Sequence, residues 1–228
     1  MEKNGDIEAL EVVAFDWDNT LVESRSSLVF CVDKILAQYG LPDWSQSSKK
    51  RDNMLSFRDN FPRIFGDAAD EAYQKYRRIY QKEAPKLISV FDGGYDVVNL
   101  LKKCGKKLVV VSNKDRLLLE LEYGLLFKPD TFEKIVCGHE APRDKPYPEQ
   151  LFYTLNGIIS KEKINAKTVW MVGDSQMDSM CAKSAGVRAV RIGSPIWDGI
   201  KEPEDGITFF ANMREFYNYL LKETGENR

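Results

Sequence analysis

A chain of 228 residues with 43% hydrophobic and 30% charged side chains carries enough apolar material for one substantial core, or a core plus a smaller inserted unit. Its formal net charge of −2 supplies no cationic footprint for nucleic acid or an anionic membrane, and no apolar run approaches a membrane span. Cys31, Cys104, Cys137 and Cys181 lack CxxC spacing and read as buried or reduced thiols of a cytoplasmic protein, not as a disulfide frame or zinc site. His139 is the sole histidine, which excludes chemistry that needs several. The polar, acidic stretch 1–11 has no signal-peptide apolar region.

The first buried element is legible in Val12-Val13-Ala14-Phe15, a short apolar run within a strand expected over 11–15. It stops abruptly at Asp16-Trp17-Asp18-Asn19-Thr20. Residues i and i+2 of an extended chain point the same way, so Asp16 and Asp18 start on one side of the strand's carboxyl end. Two like charges there cost stability unless a cation or proton compensates. From 21 to 86 the pattern turns helical. Leu28, Val32, Ile35 and Tyr39 form one stripe, stopped by Gly40 and Pro42. A weaker stripe carries Met54, Phe57 and Phe61 and closes near Pro62 and Gly66. A third carries Ala69, Tyr73, Tyr76 and Tyr80, with Asp67 as its expected N-cap and a stop before Pro85.

From Asp92-Gly93-Gly94 onward, helices and strands alternate. A helix through Val97, Val98, Leu100 and Leu101 ends at Gly105, and strand 108–111 runs into Ser112-Asn113-Lys114. A helix through Leu117, Leu118 and Leu121 is expected to stop at Gly124, before a short strand over 134–137. The polar loop 138–146 follows, then a helix opened by Pro148 as its first residue. Strand 168–172 ends in Gly173-Asp174, helix 176–185 ends at Gly186, and strand 188–192 follows. The tail supplies a short strand over 207–210 and a helix capped by Asn212, with Glu215 three residues on. This alternation implies the α/β class, a Rossmann-like doubly wound parallel sheet built from 1–20 and 87–228, with an inserted helical domain over 21–86.

All carboxyl ends of a parallel sheet face one edge, so the polar clusters after the strands can converge. They are Asp16, Asp18 and Thr20; Ser112 and Asn113; Lys145 in the loop; and Asp174 with Asp178. Four carboxylates, a lysine and a small hydroxyl suit a hard divalent cation and a phosphate. Oxygen-only ligation favours magnesium, which binds a few carboxylates together with substrate phosphate. Taken singly, each cluster is an ordinary turn or helix cap. Four in this order beside one sheet edge are not.

Here the chain resembles the haloacid dehalogenase superfamily. Asp16-Trp17-Asp18-Asn19-Thr20 is similar to its first motif, Ser112 to its second, Lys145 with the following Pro-x-Pro to its third, and Gly173-Asp174-Ser175-Gln176-Met177-Asp178 to its fourth. The resemblance spans about 11–192 and is greatest to phosphoglycolate phosphatase-like members. It implies a magnesium-dependent phosphatase acting on a small phosphorylated metabolite through an aspartyl-phosphate. Asp16 would be the nucleophile, and Asp18 the general acid and then base. Asp16, Asp18 (through its main-chain carbonyl), Asp174 and Asp178 would hold Mg2+. Ser112, Asn113 and Lys145 would bind phosphate, and the insertion would be the small helical cap. Asn19 stands where many members have glycine, and asparagine tolerates the left-handed backbone.

A phosphomutase or phosphotransferase on the same scaffold shares the nucleophile and the acid/base, so the acceptor separates it from a phosphatase. A non-catalytic binding protein would not need the intact nucleophile. Gly93-Gly94 reads as a turn, the three tyrosines as packing, His139 as a loop residue and Lys49-Lys50-Arg51 as a solvated helix face. No motif names the substrate, the cap residues that select it or the oligomeric state.

Overall fold

The structure, a computed structural model, describes residues 7–193 and 206–225. Met1 to Asp6 of the polar N-terminal stretch lie outside the described residues. In chain order the elements are β1 (Val12–Phe15), β2 (Val22–Glu23), α1 (Arg25–Gln38), α2 (Trp44–Ser47), α3 (Phe61–Phe65), α4 (Ala69–Glu83), β3 (Ser89–Val90), α5 (Gly94–Lys103) and β4 (Lys107–Val111). They continue with α6 (Arg116–Leu126), β5 (Lys134–Val136), α7 (Glu149–Leu155), β6 (Val169–Gly173), α8 (Gln176–Ala185), β7 (Arg188–Ile192), β8 (Thr208–Phe210) and α9 (Met213–Thr224).

Among the described residues one parallel sheet runs in the order β5-β4-β1-β6-β7-β8. Alternation across the pleat sorts its side chains. Val13, Phe15, Val110 and Val172 face a layer that includes α5 and α9, whereas Val12, Ala14, Val111 and Met171 face α7 and α8. All four residues of β1 are buried, and Val12, Val13 and Phe15 each stabilise by roughly 1.5–3 kcal/mol. The strand order reverses around β1, and such a switch point is where open α/β sheets bind ligands.

The helical segment has its own core. Val32 and Ile35 of α1 pack with Phe61 of α3 and with Tyr76 and Tyr80 of α4. The two-residue strands β2 and β3 pair antiparallel where the chain leaves and rejoins the sheet.

Local readings differ from the structure where one residue type has two uses. Pro62 opens α3 instead of closing a helix, because its missing N–H is one of the unbonded donors of a first turn. Met54 and Phe57 precede α3 in turns, so the expected second helix is shorter and starts later. Asp67 lies in a 3₁₀ turn and does not cap α4, whose N-cap is Ala68. Gly124 lies inside α6, which continues to Leu126. An isolated helical glycine costs only about 1 kcal/mol. Pro148 is the N-cap of α7 instead of its first residue, and Asn212 caps α9 by accepting from Glu215 N at 2.8 Å.

Candidate active site

Asp16 follows β1 and is 7% exposed. The turn after it is tight: Trp17 O accepts from the amides of Thr20, Leu21 and Val22, and Asn19 takes φ 60°. This bend turns Thr20 back so that its hydroxyl donates to Asp16 Oδ2 at 3.1 Å. Lys145 Nζ donates to Asp16 Oδ1 and to Asp178 Oδ1, each at 2.6 Å. Burial pushes the Asp16 carboxyl up to about 7, with Lys145 opposing the shift and Asp178 and Asp18 adding to it. Burial also works against the Lys145 charge, but Asp16 and Asp178 outweigh it and hold the ammonium above its usual range.

The neighbouring residues lock Lys145 in place. Asn113 Nδ2 donates to Lys145 O at 2.8 Å, and Lys145 N donates to Asn113 Oδ1 at 3.2 Å. Both ends of the Asn113 amide therefore hold the Lys145 backbone. Gln150, fully buried, ties the strand ends together by donating to Ser112 O at 3.0 Å and Cys137 O at 3.1 Å. Ser112 itself is buried, with Oγ accepting from Lys114 N at 3.2 Å.

Asp178 enters from the first turn of α8. Its Oδ2 accepts from the amide of Ser175 at 3.0 Å and from the Ser175 hydroxyl, completing a capping box. A Cβ on Gly173 would lie 2.4 Å from Asp178 Cβ, so only glycine admits the carboxylate there. Asp16, Asp174 and Asp178 each present an oxygen, all within 4.8 Å of one another. Three buried carboxylates, two of them sharing one ammonium, fit a hard divalent cation such as Mg2+. The Asp18 carboxylate stands apart from this trio. Its Oδ1 accepts from Ser24 Oγ at 2.5 Å and from Lys114 Nζ at 2.6 Å.

Lys114 introduces a network that sequence reasoning missed. Its ammonium lies 3.0 Å from Glu122 Oε1 and 3.1 Å from Tyr80 OH, which comes from the helical segment. Glu122, fully buried, also accepts from Trp17 Nε1 at 2.6 Å and from Tyr80 OH. Burial raises the Glu122 carboxyl, while Lys114 lowers it. Burial opposes the Lys114 charge too, but Asp18 and Glu122 prevail and hold it well above its usual range. The available signal was Glu122 itself, a charge four residues after Leu118 on the buried stripe of α6.

Asp16, Asp18, Ser112, Lys114, Lys145 and Asp174 line one cavity of about 110 Å³ between sheet edge and helical segment, with Leu28, Phe57, Arg58, Tyr73 and Tyr76 forming part of its other wall. His139 bridges the same two parts outside it, with Nε2 3.1 Å from Asp59 Oδ1. Cys31, Cys137 and Cys181 take no part. Burial pushes each thiol up to about 12.

Fold and site together define a doubly wound α/β protein with buried carboxylates at the switch point. The profile of the haloacid dehalogenase-like hydrolases matches residues 13–192, and the chain belongs to that family. It is similar to a phosphoglycolate phosphatase of Neisseria gonorrhoeae, 30% identical over 204 residues, covering 83% of this chain and 82% of that one. It is also similar to the pyrophosphatase PpaX of Bacillus mycoides, 26% identical over 188 residues, covering 80% and 83%. Of solved structures, CbbY from Rhodobacter sphaeroides in complex with phosphate superposes with a TM-score of 0.74 at 16% identity, over 91% of this chain and 96% of that one. That likeness concerns the fold.

Proposed function

We propose that the chain is a magnesium-dependent phosphatase that hydrolyses a small phosphate monoester through an aspartyl-phosphate. The observation that carries this reading is the aim of Asp16. Thr20 and Lys145 orient its two oxygens, and Asp174 and Asp178 stand within 4.8 Å. One oxygen of Asp16 attacks phosphorus, the ester P–O bond breaks, and Asp18 gives its proton to the departing alkoxide. Asp18 then takes a proton from water as the water attacks phosphorus, the bond to Asp16 breaks, and inorganic phosphate leaves. Lys145, Ser112 and the backbone at Asn113 hold the phosphoryl oxygens. Mg2+, held by Asp16, Asp174, the Asp18 carbonyl and Asp178, would neutralise charge on the transferring group.

The helical domain over 21–86 acts in this reading as a cap that excludes water and selects substrate. Mutase chemistry would need a second hydroxyl as acceptor in the same cavity, and nothing in the site favours it over water. The test is phosphate release from p-nitrophenyl phosphate with Mg2+ and with chelator. Activity that depends on the cation and is lost in Asp16→Asn supports the reading. Turnover that survives both changes contradicts it.

A further inference from the structure

Glu122 is a fully buried carboxylate outside the cavity lining, yet it grips the turn over Asp16 to Asp18 at two points. The first is Trp17, the residue between the two aspartates, whose Nε1 donates to Glu122 Oε2 at 2.6 Å. The second is indirect. Glu122 Oε1 lies 3.0 Å from the ammonium of Lys114, which donates to Asp18 Oδ1 at 2.6 Å. Tyr80 closes the set, since its hydroxyl donates to Glu122 and accepts from Lys114 at 3.1 Å. An ammonium has three donors and no acceptor. Asp18, Tyr80 and Glu122 place three oxygens around this one, and its side chain is only 4% exposed, so it has no donor to spare for a substrate.

The hydrogen bonds on the Asp18 carboxylate are one-sided. Ser24 Oγ and Lys114 Nζ both donate to Oδ1, and among the described residues no hydrogen bond reaches Oδ2. The Asp18 side chain is 25% exposed and borders the cavity. A carboxylate held by one oxygen keeps the other for a proton. Position counts heavily for such a group, since a misplacement of about 1 Å can cost about 100-fold in rate. Stability alone does not call for the arrangement, because buried ion pairs are often replaced by apolar side chains without loss.

We propose that Glu122 is a positioning residue for proton transfer: through Lys114 it pins Oδ1 of Asp18, which leaves Oδ2 to protonate the departing alkoxide and then to deprotonate the water. This rests on the reading of Asp18 as acid and base, and it names the residues that aim that carboxylate. Glutamine at position 122 offers one acceptor oxygen to Trp17, Tyr80 and Lys114, where glutamate offers two. A Lys114 donor released in this way can turn to Oδ2 and occupy the oxygen that handles the proton.

The test is the dependence of kcat/KM on the leaving group, at one pH and with saturating Mg2+. Phenyl phosphate and p-nitrophenyl phosphate are similar in shape, but p-nitrophenoxide departs readily without a proton and phenoxide does not. In Glu122→Gln, kcat/KM for phenyl phosphate should fall on the order of tenfold and that for p-nitrophenyl phosphate less than about threefold. The same substitution in an Asp18→Asn background should cost both esters equally, because no proton donor remains to be aimed. Tyr80→Phe removes one oxygen from around Lys114 and leaves Glu122 in place, so it should give a smaller loss with the same bias. An equal loss on the two esters in folded Glu122→Gln, or a bias that persists without Asp18, overturns the proposal and leaves the phosphatase reading standing. Should Glu122→Gln fail to fold, Tyr80→Phe decides by the same criterion. If the native protein hydrolyses neither ester, the phosphatase reading fails and the proposal falls with it.

Discussion

Asp16 is held in an environment that disfavours its charge, and this has a measurable consequence without any substrate. Its carboxyl, raised from 3.8 to about 7, takes up a proton on folding between those values. A group raised in this way contributes stability that is fully present below the unfolded value and is lost as pH rises through the folded one. In cation-free buffer, Asp16→Asn should therefore melt above the native protein at about pH 8, with the gap closing toward about pH 4. Lys145 keeps Asp178 as its partner in that variant, so no buried ammonium is stranded. Saturating Mg2+ should stabilise the native protein more than the variant. A gap that widens toward acid pH would contradict the account of the carboxylate cluster.

Lys114 and Glu122 make a second residue-scale prediction. Each is deeply buried; Lys114 is the cation that faces Glu122, and it also pairs with the less buried Asp18. Lys114→Met leaves the Glu122 carboxylate facing only neutral donors and should cost about 3–5 kcal/mol in chemical denaturation. Adding Glu122→Gln should return much of that loss, because the fully buried uncompensated charge disappears, Asp18 is a quarter exposed, and Trp17 and Tyr80 retain a polar partner. Additive losses would mean that the pair is not coupled.

At the scale of elements, two glycines separate placement of the site from stability. Gly173 ends β6 where a Cβ would strike Asp178, whose carboxylate grips Lys145. Gly173→Ala should lower kcat by at least about tenfold by moving both groups. Gly93 precedes α5 at φ 85°, where a Cβ would meet the Arg214 backbone of α9 at 2.8 Å. Gly93→Ala should lower stability by roughly 1–3 kcal/mol and leave the kcat of the folded fraction unchanged. The same comparison shows what local sequence can carry. The α8 boundaries, the Asn212 cap of α9 and the left-handed Asn19 are short-range matters, and all are legible from neighbouring residues. The strands β2 and β3 are two residues each and pair across 66 and 68 positions, too short for any periodicity to reveal.

At the scale of the molecule, the parallel sheet order brings Asp16, Ser112 and Asp174 to one edge, as strand–helix alternation implies. What the sequence did not disclose was the joint with the cap. Tyr80 of α4 meets Glu122 of α6 and Lys114 after β4, and Trp17 meets Glu122 across 105 positions. Such contacts follow from tertiary packing and leave only one local trace, a glutamate on an apolar stripe. The joint also connects cap and chemistry, since Lys114 holds both Tyr80 and Asp18. In the proposed reading, lifting the cap would withdraw the Tyr80 hydroxyl from the group that pairs with Asp18. Removing Mg2+ should abolish turnover without unfolding the protein, because the sheet core and the cap core are each packed independently of the carboxylate cluster.

The central claim is that Asp16 forms a covalent bond to phosphorus. The direct measurement is to quench the protein with acid during turnover of its best ester, reduce it with borohydride and read the peptide spanning 12–24 by mass spectrometry. An acyl phosphate on Asp16 is reduced to homoserine, so the account predicts substrate-dependent homoserine at position 16 and none at position 18. Phosphate release during the same turnover with aspartate intact at position 16 would contradict it.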